Sequence, residues 1–378
     1  MKRSVIISLY CCAQASAQQP LCHTEIGVPH LLSGLAECSQ NGMRTTFQIQ
    51  ENAEISWDSF NLNPQHELEF VFTNSSNVVV NRSLGRTTIN GQLTGADGHV
   101  VFLSPSQVLN IGNDARIRTG SFTASALDAE SSQFLNTKEQ WVFQNNGQRS
   151  FSSDFKGEIT TSNGSVVLVG RADVNLKTRI QSNGDLIVAS GERVTLTPGK
   201  AESLSVTPSS GGIEDQILHN GRDLQAGGNL AINSGHNILL SGNSVFSANG
   251  GQGKVYLRVD DSGAIIQRGN TGALAILGEP IFSKNIIGEV AVVDPNDGGT
   301  ISALSPAVNE YPTLSRNRSK TNYRPTSAPV TVRGGQVFTT PKKQTKKKPL
   351  LAKTSTVPAM SKRSFFRSRA TVTAKKTR

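Results

Sequence analysis

Short apolar runs, each preceded by an Asx-Gly or Gly-rich turn, recur along this chain about every 20 to 22 residues. The clearest units lie at residues 93–103, 159–168, 180–188, 224–232 and 246–257. The first two are offset by 66 residues, or three periods of 22, and Leu186 and Leu230 are 44 residues apart. No 3.6-residue apolar stripe fits inside a unit, so helical repeats are excluded. The pattern predicts a solenoid of stacked short strands.

A parallel β-helix is the solenoid that fits best, because the fixed Leu and Asn ladder of leucine-rich repeats is missing. Roughly ten coils are expected between residues 45 and 280 at a strand spacing of ~4.8 Å. Residues 140–151 break the period and predict a β-hairpin around Asn146-Gly147, which would project from the rod or cover one of its faces. Residues 194–206 are a second candidate insertion.

Charge divides the chain into two regions. Residues 311–378 contain 18 Lys and Arg and no Asp or Glu, which leaves 20 of the 38 basic residues and all 28 acidic residues in residues 1–310. The tail is also rich in Pro, Ser and Thr and poor in apolar residues, so it is predicted to be disordered. The resulting domain prediction is a signal peptide at 1–17, an irregular leader at 18–42, a β-helix at 43–290 and the tail at 291–378.

The first residues favour export. A basic start, an apolar run and the small-residue pattern Ala15-Ser16-Ala17 indicate a secretory signal, with a frayed apolar terminus as the alternative. Cys22 and Cys38 would then be the two cysteines of the mature chain. An oxidising route favours a disulfide between them, with two free thiols as the alternative.

Several ordered blocks between residues 43 and 129 resemble the N-terminal secretion domain of two-partner-secretion exoproteins. This is the haemagglutination activity domain of filamentous haemagglutinin-like adhesins. The blocks are ISWDSFNL from Ile55, VVNR from Val79, INGQL from Ile89, GHVVFL from Gly98 and GSFTASALD from Gly120.

The resemblance implies a right-handed parallel β-helix, exported through the inner membrane and then through a cognate outer-membrane barrel transporter with periplasmic polypeptide-binding domains. The segments matching the family's transporter-recognition blocks are Asn81-Arg82, with Asn63-Pro64 as a second possibility, and the turn after the Val-Phe-Leu strand. That turn consists of Ser104, Pro105, Ser106, Gln107 and Val108.

Enzymatic chemistry is not expected. Parallel β-helices include polysaccharide lyases with clustered carboxylates, and Asp260-Asp261 and Asp294–Asp297 are the local candidates, but Asx-rich turns are common at solenoid corners. The six histidines show no short metal-ligand spacing, so no cofactor or metal is expected. Trp57 and Phe60 are expected to pack in the core rather than bind a receptor.

The tail is the one surface with a direct implication for partners. Its basic clusters favour anionic polysaccharide or lipid, and a specific nucleic-acid role conflicts with the signal sequence. The clusters are Lys342, Lys343, Lys346, Lys347, Lys348, Lys362, Arg363 and Arg367. A solvated tail without a partner is the alternative.

The functional hypothesis is a secreted or surface-exposed, non-enzymatic β-helix protein of the two-partner type, adhesin-like, with host or neighbouring-cell glycans as possible ligands. The alternative is a β-helical polysaccharide-active enzyme or glycan-binding protein.

Overall fold

The computed structural model describes residues 21–22, 24–106, 108–147, 152–210, 214–242, 244–268, 274–284, 286–287, 290–293, 300–303, 330–333 and 336–337. At residue 268 and beyond 284 only the backbone is described. The strands stack in parallel into three columns, here called faces one, two and three. This confirms the predicted parallel β-helix.

Each coil contributes one strand to each face, and two long strands turn the corner between faces one and two. Face one consists of Arg44–Ile49, Glu67–Phe72, the first halves of Gln92–Leu103 and Arg116–Ser125, Glu158–Thr161, Arg179–Ser182, Leu224–Ala226, Ser244–Ala248, Leu274–Leu277 and Val290–Val293. Face two consists of Ala53–Trp57, Val78–Ser83, the second halves of the long strands, Val166–Gly170, Leu186–Ser190, Leu230–Ser234, Lys254–Val259 and Glu279–Phe282.

Face three is made of shorter strands. They are Phe60–Leu62, Thr87–Ile89, Leu109–Ile111, Ser153–Phe155, Asp173–Leu176, Gln216–Asn220, Asn237–Ser241, Ala264–Arg268 and Ile286–Ile287. Beyond the last rung, Thr300–Ala303 pairs antiparallel with Val290–Val293, and Val330–Arg333 and Gln336–Val337 follow. The helical elements in the described residues are Ser132–Leu135 and the 3₁₀ turn Asn249–Gly251.

Apolar side chains stack along the inside of the solenoid. In face one, Leu93, Ile117, Ile159, Ile180 and Leu224 occupy successive rungs and are almost completely buried. Trp57 and Phe60 are fully buried in the same cluster, with ring centroids 5.0 Å apart, so their expected core role is confirmed. Each aliphatic side chain buried in this way contributes roughly 1.5–3 kcal/mol of hydrophobic transfer free energy.

A column of glycines lies at the corner between faces one and two. The N–H of Gly164 donates to the Gly120 carbonyl at 2.8 Å, and the N–H of Gly184 donates to the Gly164 carbonyl at 2.9 Å. A Cβ atom at Gly120 would lie 2.6 Å from the Gly98 carbonyl oxygen. The Asx-Gly turns of the sequence repeat are therefore glycine because successive backbones approach closely at this corner.

The coils are not all of one length, which corrects the interpretation of the sequence offsets. Ile117 pairs with both Leu93 and Ile159, so the 66 residues between the last two span two coils rather than three. Leu186 pairs directly with Leu230, so 44 residues form a single coil. Each longer coil contains an insertion of about one period, so the apparent repeat in the sequence is preserved. Face one has nine described rungs up to residue 277.

The two insertions combine into one structure outside the solenoid. Trp141–Gln144 pairs antiparallel with Arg193–Thr197, which pairs antiparallel with Lys200–Thr207. The first arm of the hairpin predicted at 140–151 is a strand, Trp141–Gln144, and its partner comes from the second insertion. The expected second arm, residues 148–151, lies outside the described residues, so the hairpin itself stays a prediction.

This three-stranded sheet covers the outer side of face two. Val79 packs inside the solenoid, whereas Val78 and Val80 belong to a second apolar cluster with Phe143, Val194 and Leu204. Face-two strands such as Val166–Gly170 are consequently buried on both sides. Continuous apolar runs rather than alternating ones are the sequence pattern of such strands.

The N-terminal segment forms two strands that cap the first rung, whereas an irregular leader was expected. Pro29–Ser33 pairs antiparallel with Ala53–Trp57, and Ala36–Asn41 pairs antiparallel with Arg44–Ile49. Cys22 and Cys38 form a disulfide, with Cα atoms 5.9 Å apart. The first rung has no preceding coil to pair with, so strands from the same chain occupy part of its open edge.

The signal peptide at 1–17 and the tail lysines and arginines from Lys342 to Arg367 lie outside the described residues, so the predictions made for them stay predictions.

Candidate functional site

Asn81, the first residue singled out for transporter recognition, lies in the strand Val78–Ser83 of face two and is fully buried. Its Oδ1 accepts a hydrogen bond from Trp57 Nε1 at 3.1 Å, and its Nδ2 donates to the Val101 carbonyl at 3.2 Å. The Asn81 amide thus satisfies the buried indole N–H of Trp57 and links it to the strand of the next rung. A buried polar group needs such partners, and both are present.

Arg82 points to the opposite side of the same strand, where it joins the solenoid to the inserted segment. Its Nε donates to Glu54 Oε1 at 3.3 Å and its Nη1 to Asp128 Oδ1 at 2.5 Å. Its Nη2 donates to the Ala129 carbonyl at 2.6 Å and to Ser131 Oγ at 3.2 Å. One guanidinium therefore holds the start of the insertion against face two through charge-assisted bonds.

The described part of the segment 104–108 forms the corner between faces two and three in the coil that begins at Gln92. Ser104 is fully buried and its N–H donates to the Ser125 carbonyl at 2.9 Å. Pro105, Ser106 and Val108 are half-buried, and Thr87 N–H donates to the Val108 carbonyl at 3.1 Å. Gln107 lies outside the described residues.

Asn81, Arg82 and Ser104 share one property: the folded protein uses them for its own structure. Asn81 and Ser104 have no accessible surface for a partner, and Arg82 spends its donors on Glu54, Asp128 and Ala129. A partner that recognises Asn81-Arg82 by its side chains would have to meet them before this part of the chain folds.

Several side chains of this region were missed by the sequence reading. Ser131 Oγ donates to Glu54 Oε1 at 2.5 Å, and Asn146 Nδ2 donates to Asp128 Oδ2 at 2.7 Å. Gln133 bonds both backbone groups of Val142, accepting from the N–H at 2.8 Å and donating to the carbonyl at 3.3 Å. The side chain of Gln133 thus closes part of the free edge of Trp141–Gln144, which would otherwise be open to strand addition. The one sequence signal for these contacts was Asp128, which ends the family-like block beginning at Gly120.

A cleft of about 740 Å³ opens between residues 134–141, the hairpin tip 197–200 and the second and third rungs of face two. On its wall the His99 ring stacks on Trp141, with centroids 5.5 Å apart and an interplanar angle of 23°. His99 Nε2 lies 2.9 Å from Thr123 Oγ1. Burial lowers the pKa of His99 to about 4, so the ring is neutral at physiological pH. The wall offers aromatic surface and a neutral hydrogen-bonding ring.

The carboxylates considered for catalysis serve local structure. Asp260 accepts hydrogen bonds from the N–H and hydroxyl of Ser262, at 3.1 and 2.9 Å from Oδ1. Asp261 Oδ1 lies 3.4 Å from Lys284 Nζ. Residues 294–297 lie outside the described residues. Within the described ranges, no group of three or more His, Cys, Asp or Glu side chains is placed to hold a metal ion.

No protein-family model matches the chain, and no curated protein matches it significantly in sequence. Among solved structures, the chain is similar to the crystal structure of the HMW1 secretion domain from Haemophilus influenzae. The TM-score is 0.54 and the identity 22%, over 68% of this chain and 76% of that chain. This similarity supports the β-helix fold.

Within the part of the chain that the structure describes, no helix has the length and apolar character needed to cross a bilayer.

Proposed function

We propose that this chain is the secretion domain of a two-partner-secretion exoprotein, released outside the cell through a cognate outer-membrane barrel transporter. The observation that carries the proposal is a capped, three-faced β-helix formed by a sequence whose residues 43–129 contain the ordered family blocks. The fold similarity to the HMW1 secretion domain supports the same class.

The mechanism follows from the burial of the recognition residues. The transporter's periplasmic domains meet an unfolded chain in which Asn81 and Arg82 are accessible. Backbone groups of an extended segment can add as a strand to such a domain. Outside the cell each new coil needs only the preceding one to fold on, so coils form in order from the N-terminal cap. Folding then hinders backward movement of the chain through the pore.

Export is tested by expressing the full chain in a Gram-negative host with and without a candidate outer-membrane barrel transporter from the same genome, and measuring mature protein in the medium. A transporter lacking its periplasmic domains is the matched control. We expect release only with the complete transporter. Equal release in all three strains would overturn the proposal.

A recognition role for Asn81 is separated from its structural role by measuring two properties of Asn81→Ala. Purified N81A is refolded in vitro and its unfolding midpoint is measured beside its export. We expect export to fall more than the loss of stability accounts for, relative to Ile89→Val, a mild core variant in a family block. Export that tracks stability in both variants would show that Asn81 serves only the fold.

We further propose a non-enzymatic, adhesive role at the cell surface or in the medium. The family resemblance of residues 43–129 supports adhesion. Attachment of the purified full chain to erythrocytes or epithelial cells tests this role. Attachment no greater than that of an unrelated protein of equal charge would refute it.

A further inference from the structure

Face one carries a group of exposed cations in its middle rungs. Arg116 and Arg118 flank the buried Ile117 and point outward together, and Arg179 lies two rungs further on. Lys177 precedes Arg179 at the corner with face three and is exposed. These four residues are called the arginine stripe.

Among the described residues the stripe cations have no side-chain partner, in contrast to the cation at the start of the same face. Arg44 lies 2.7 Å from Glu69 and 3.9 Å from Glu67, and these carboxylates raise its pKa. In the described residues, no hydrogen bond or ion pair involves the side chains of Arg116, Arg118, Lys177 or Arg179. The charge is therefore available to a ligand.

The acidic groups around the stripe are few. Glu158 lies between Arg116 and Arg179 in register. Asp223 directly precedes Leu224, which pairs with Ile180 on the next rung. Asp114 lies at the corner before Arg116. Residues 1–310 as a whole contain 20 basic and 28 acidic residues, so a stripe with more cations than carboxylates stands out against an acidic body.

The remaining outward residues on these rungs are hydroxyl and amide side chains. Gln92 lies beside Arg116 on one side, and Thr160 lies beside Arg118 on the other. Gln181 is the next outward residue after Arg179 on the same strand, and it pairs in register with Thr160. Neighbouring rungs are ~4.8 Å apart and alternate residues along a strand ~6.6 Å apart, so the stripe is a flat grid of cations spaced by about 7 to 10 Å.

We propose that the arginine stripe binds a linear acidic polysaccharide, one that carries carboxylate or sulfate groups along a hydroxylated chain. Guanidinium groups pair with these anions in bidentate geometry, and the flanking Thr and Gln side chains match sugar hydroxyls. The outward positions of these rungs hold no aromatic side chain on which nucleic-acid bases would stack. The exposed large apolar residues of the described chain, which a bilayer surface would need, lie elsewhere. The inference deepens the adhesive part of the proposed function and does not depend on export.

The test measures binding of the purified, refolded full chain to dextran sulfate and polygalacturonate, with neutral dextran as the uncharged probe. The variant is Arg116→Gln with Arg118→Gln. The matched control is Arg44→Gln with Arg86→Gln, which removes two exposed arginines outside the stripe. The basic segment 311–378 is identical in both variants, so its contribution cancels in the comparison.

We expect the stripe variant to lose about three- to ten-fold in affinity for the acidic polysaccharides relative to the control, since exposed ion pairs contribute up to about 1 kcal/mol each. The difference should shrink as salt is raised. Glu158→Gln removes the carboxylate inside the stripe and should strengthen binding about two-fold, whereas Glu51→Gln should not.

Equal affinity of the stripe and control variants would overturn the proposal and assign polyanion binding to other cations. Binding of neutral dextran with equal strength would also overturn it. A difference between the variants that appears only with single-stranded DNA or phosphatidylglycerol vesicles would replace the polysaccharide with that ligand. None of these results bears on transporter-dependent release, which is measured separately.

Discussion

Arg82 Nη1 donates to Asp128 Oδ1 at 2.5 Å across 46 residues of sequence, from the second rung of face two to the start of the first insertion. The same guanidinium contacts Glu54 in the rung before it. Asp128 in turn bonds through its backbone to Gln144, so the ion pair connects the solenoid to the strand Trp141–Gln144. This ion pair is therefore one of the contacts that hold the start of the outer sheet on face two.

Replacing Arg82 by Met keeps the length of the side chain and removes the charge. Glu54 and Asp128, whose side chains are only 16% and 25% exposed, then lack their cation. We expect a loss of about 3 kcal/mol in the free energy of unfolding, because a carboxylate left unpaired in a partly buried place is strongly destabilising. Urea unfolding followed by circular dichroism measures this loss.

Arg86→Met is the matched control, because Arg86 is exposed. It should change the free energy of unfolding by less than about 0.5 kcal/mol. Hydrogen exchange then locates the effect: in R82M the amides of Asp128 and Gln144 should exchange faster while those of Ile117 stay protected. Uniformly faster exchange would show that Arg82 does not act through the insertion.

The Asp185 side chain also connects the solenoid to an insertion, in this case the second one. The carboxylate is 6% exposed and accepts from the N–H of Ala201 at 3.0 Å and from the N–H of Asn229 at 2.8 Å. Asp185→Ala leaves both donors unsatisfied, so we expect their exchange to rise at least about ten-fold, as two lost charge-assisted bonds require. Asp185→Asn, which retains one acceptor oxygen, should be intermediate. An unchanged rate at Ala201 would contradict the role of Asp185 in holding the hairpin.

The stability of the fold should depend on His219. Its ring is fully buried, stacks edge-on against Phe246 at 4.9 Å and has a Nε2 atom 2.8 Å from the Arg222 carbonyl. Burial lowers its pKa from 6.5 to about 4, partly offset by the bond to Arg222. Above pH 6.5 the ring is neutral in both states and the stability is complete. Between pH 6.5 and about 4 only the unfolded chain takes up the proton, so stability falls by an amount on the order of 3 kcal/mol.

His219→Gln removes this titration. Although it lowers stability at pH 7, it should flatten the decline between pH 6.5 and 4, and the remaining slope should include His99, whose pKa is also lowered to about 4. The check is urea unfolding at pH 7.5, 6, 5 and 4. An identical slope in the wild type and H219Q would show that His219 is not the titrating group.

The Cys22–Cys38 disulfide should stabilise the cap rather than the rod. It closes a loop with a sequence separation of 16, for which the chain-entropy model gives about 3 kcal/mol. Cys22→Ser with Cys38→Ser should therefore increase proteolysis and exchange within residues 24–41 and leave face two protected. Reducing agent should reproduce this in the wild type. Equal protection of the cap in both proteins would contradict the assignment.

The sequence predicted the repeating part of the fold well, for physical reasons visible at single positions. Ile159, Ile180 and Leu224 recur because one inward position per rung must be apolar, and Gly164 and Gly184 recur because the rungs approach closely at the corner. Both constraints act between neighbouring coils, so they recur once per coil and are visible in the sequence as a repeat.

The lengths of the coils and the partner of Trp141–Gln144 were not predictable in the same way. Both insertions are close to one period long, so the register of the apolar positions survives them. The pairing of Val142 with Thr195 links two excursions of different coils, and nothing in either segment alone specifies it. The continuous run Val166–Val169 was the available signal that face two has a cover.

The candidate site residues were also predictable only in part. Family blocks marked Asn81 and Arg82, but their contacts depend on residues distant in sequence, such as Trp57 and Asp128. The arginine stripe becomes visible only when register places Arg116, Glu158 and Arg179 on successive rungs.

The outer sheet also has a consequence for the order of assembly. Its first strand leaves the solenoid at Trp141, but the strands that complete it end at Thr207, after further coils have formed. If the chain is exported from its amino end as proposed, Val80 and Val101 stack before their cover leaves the transporter. The growing rod would then pass through a stage with an uncovered apolar flank, and residue 207 marks the earliest point at which the outer sheet can cover it.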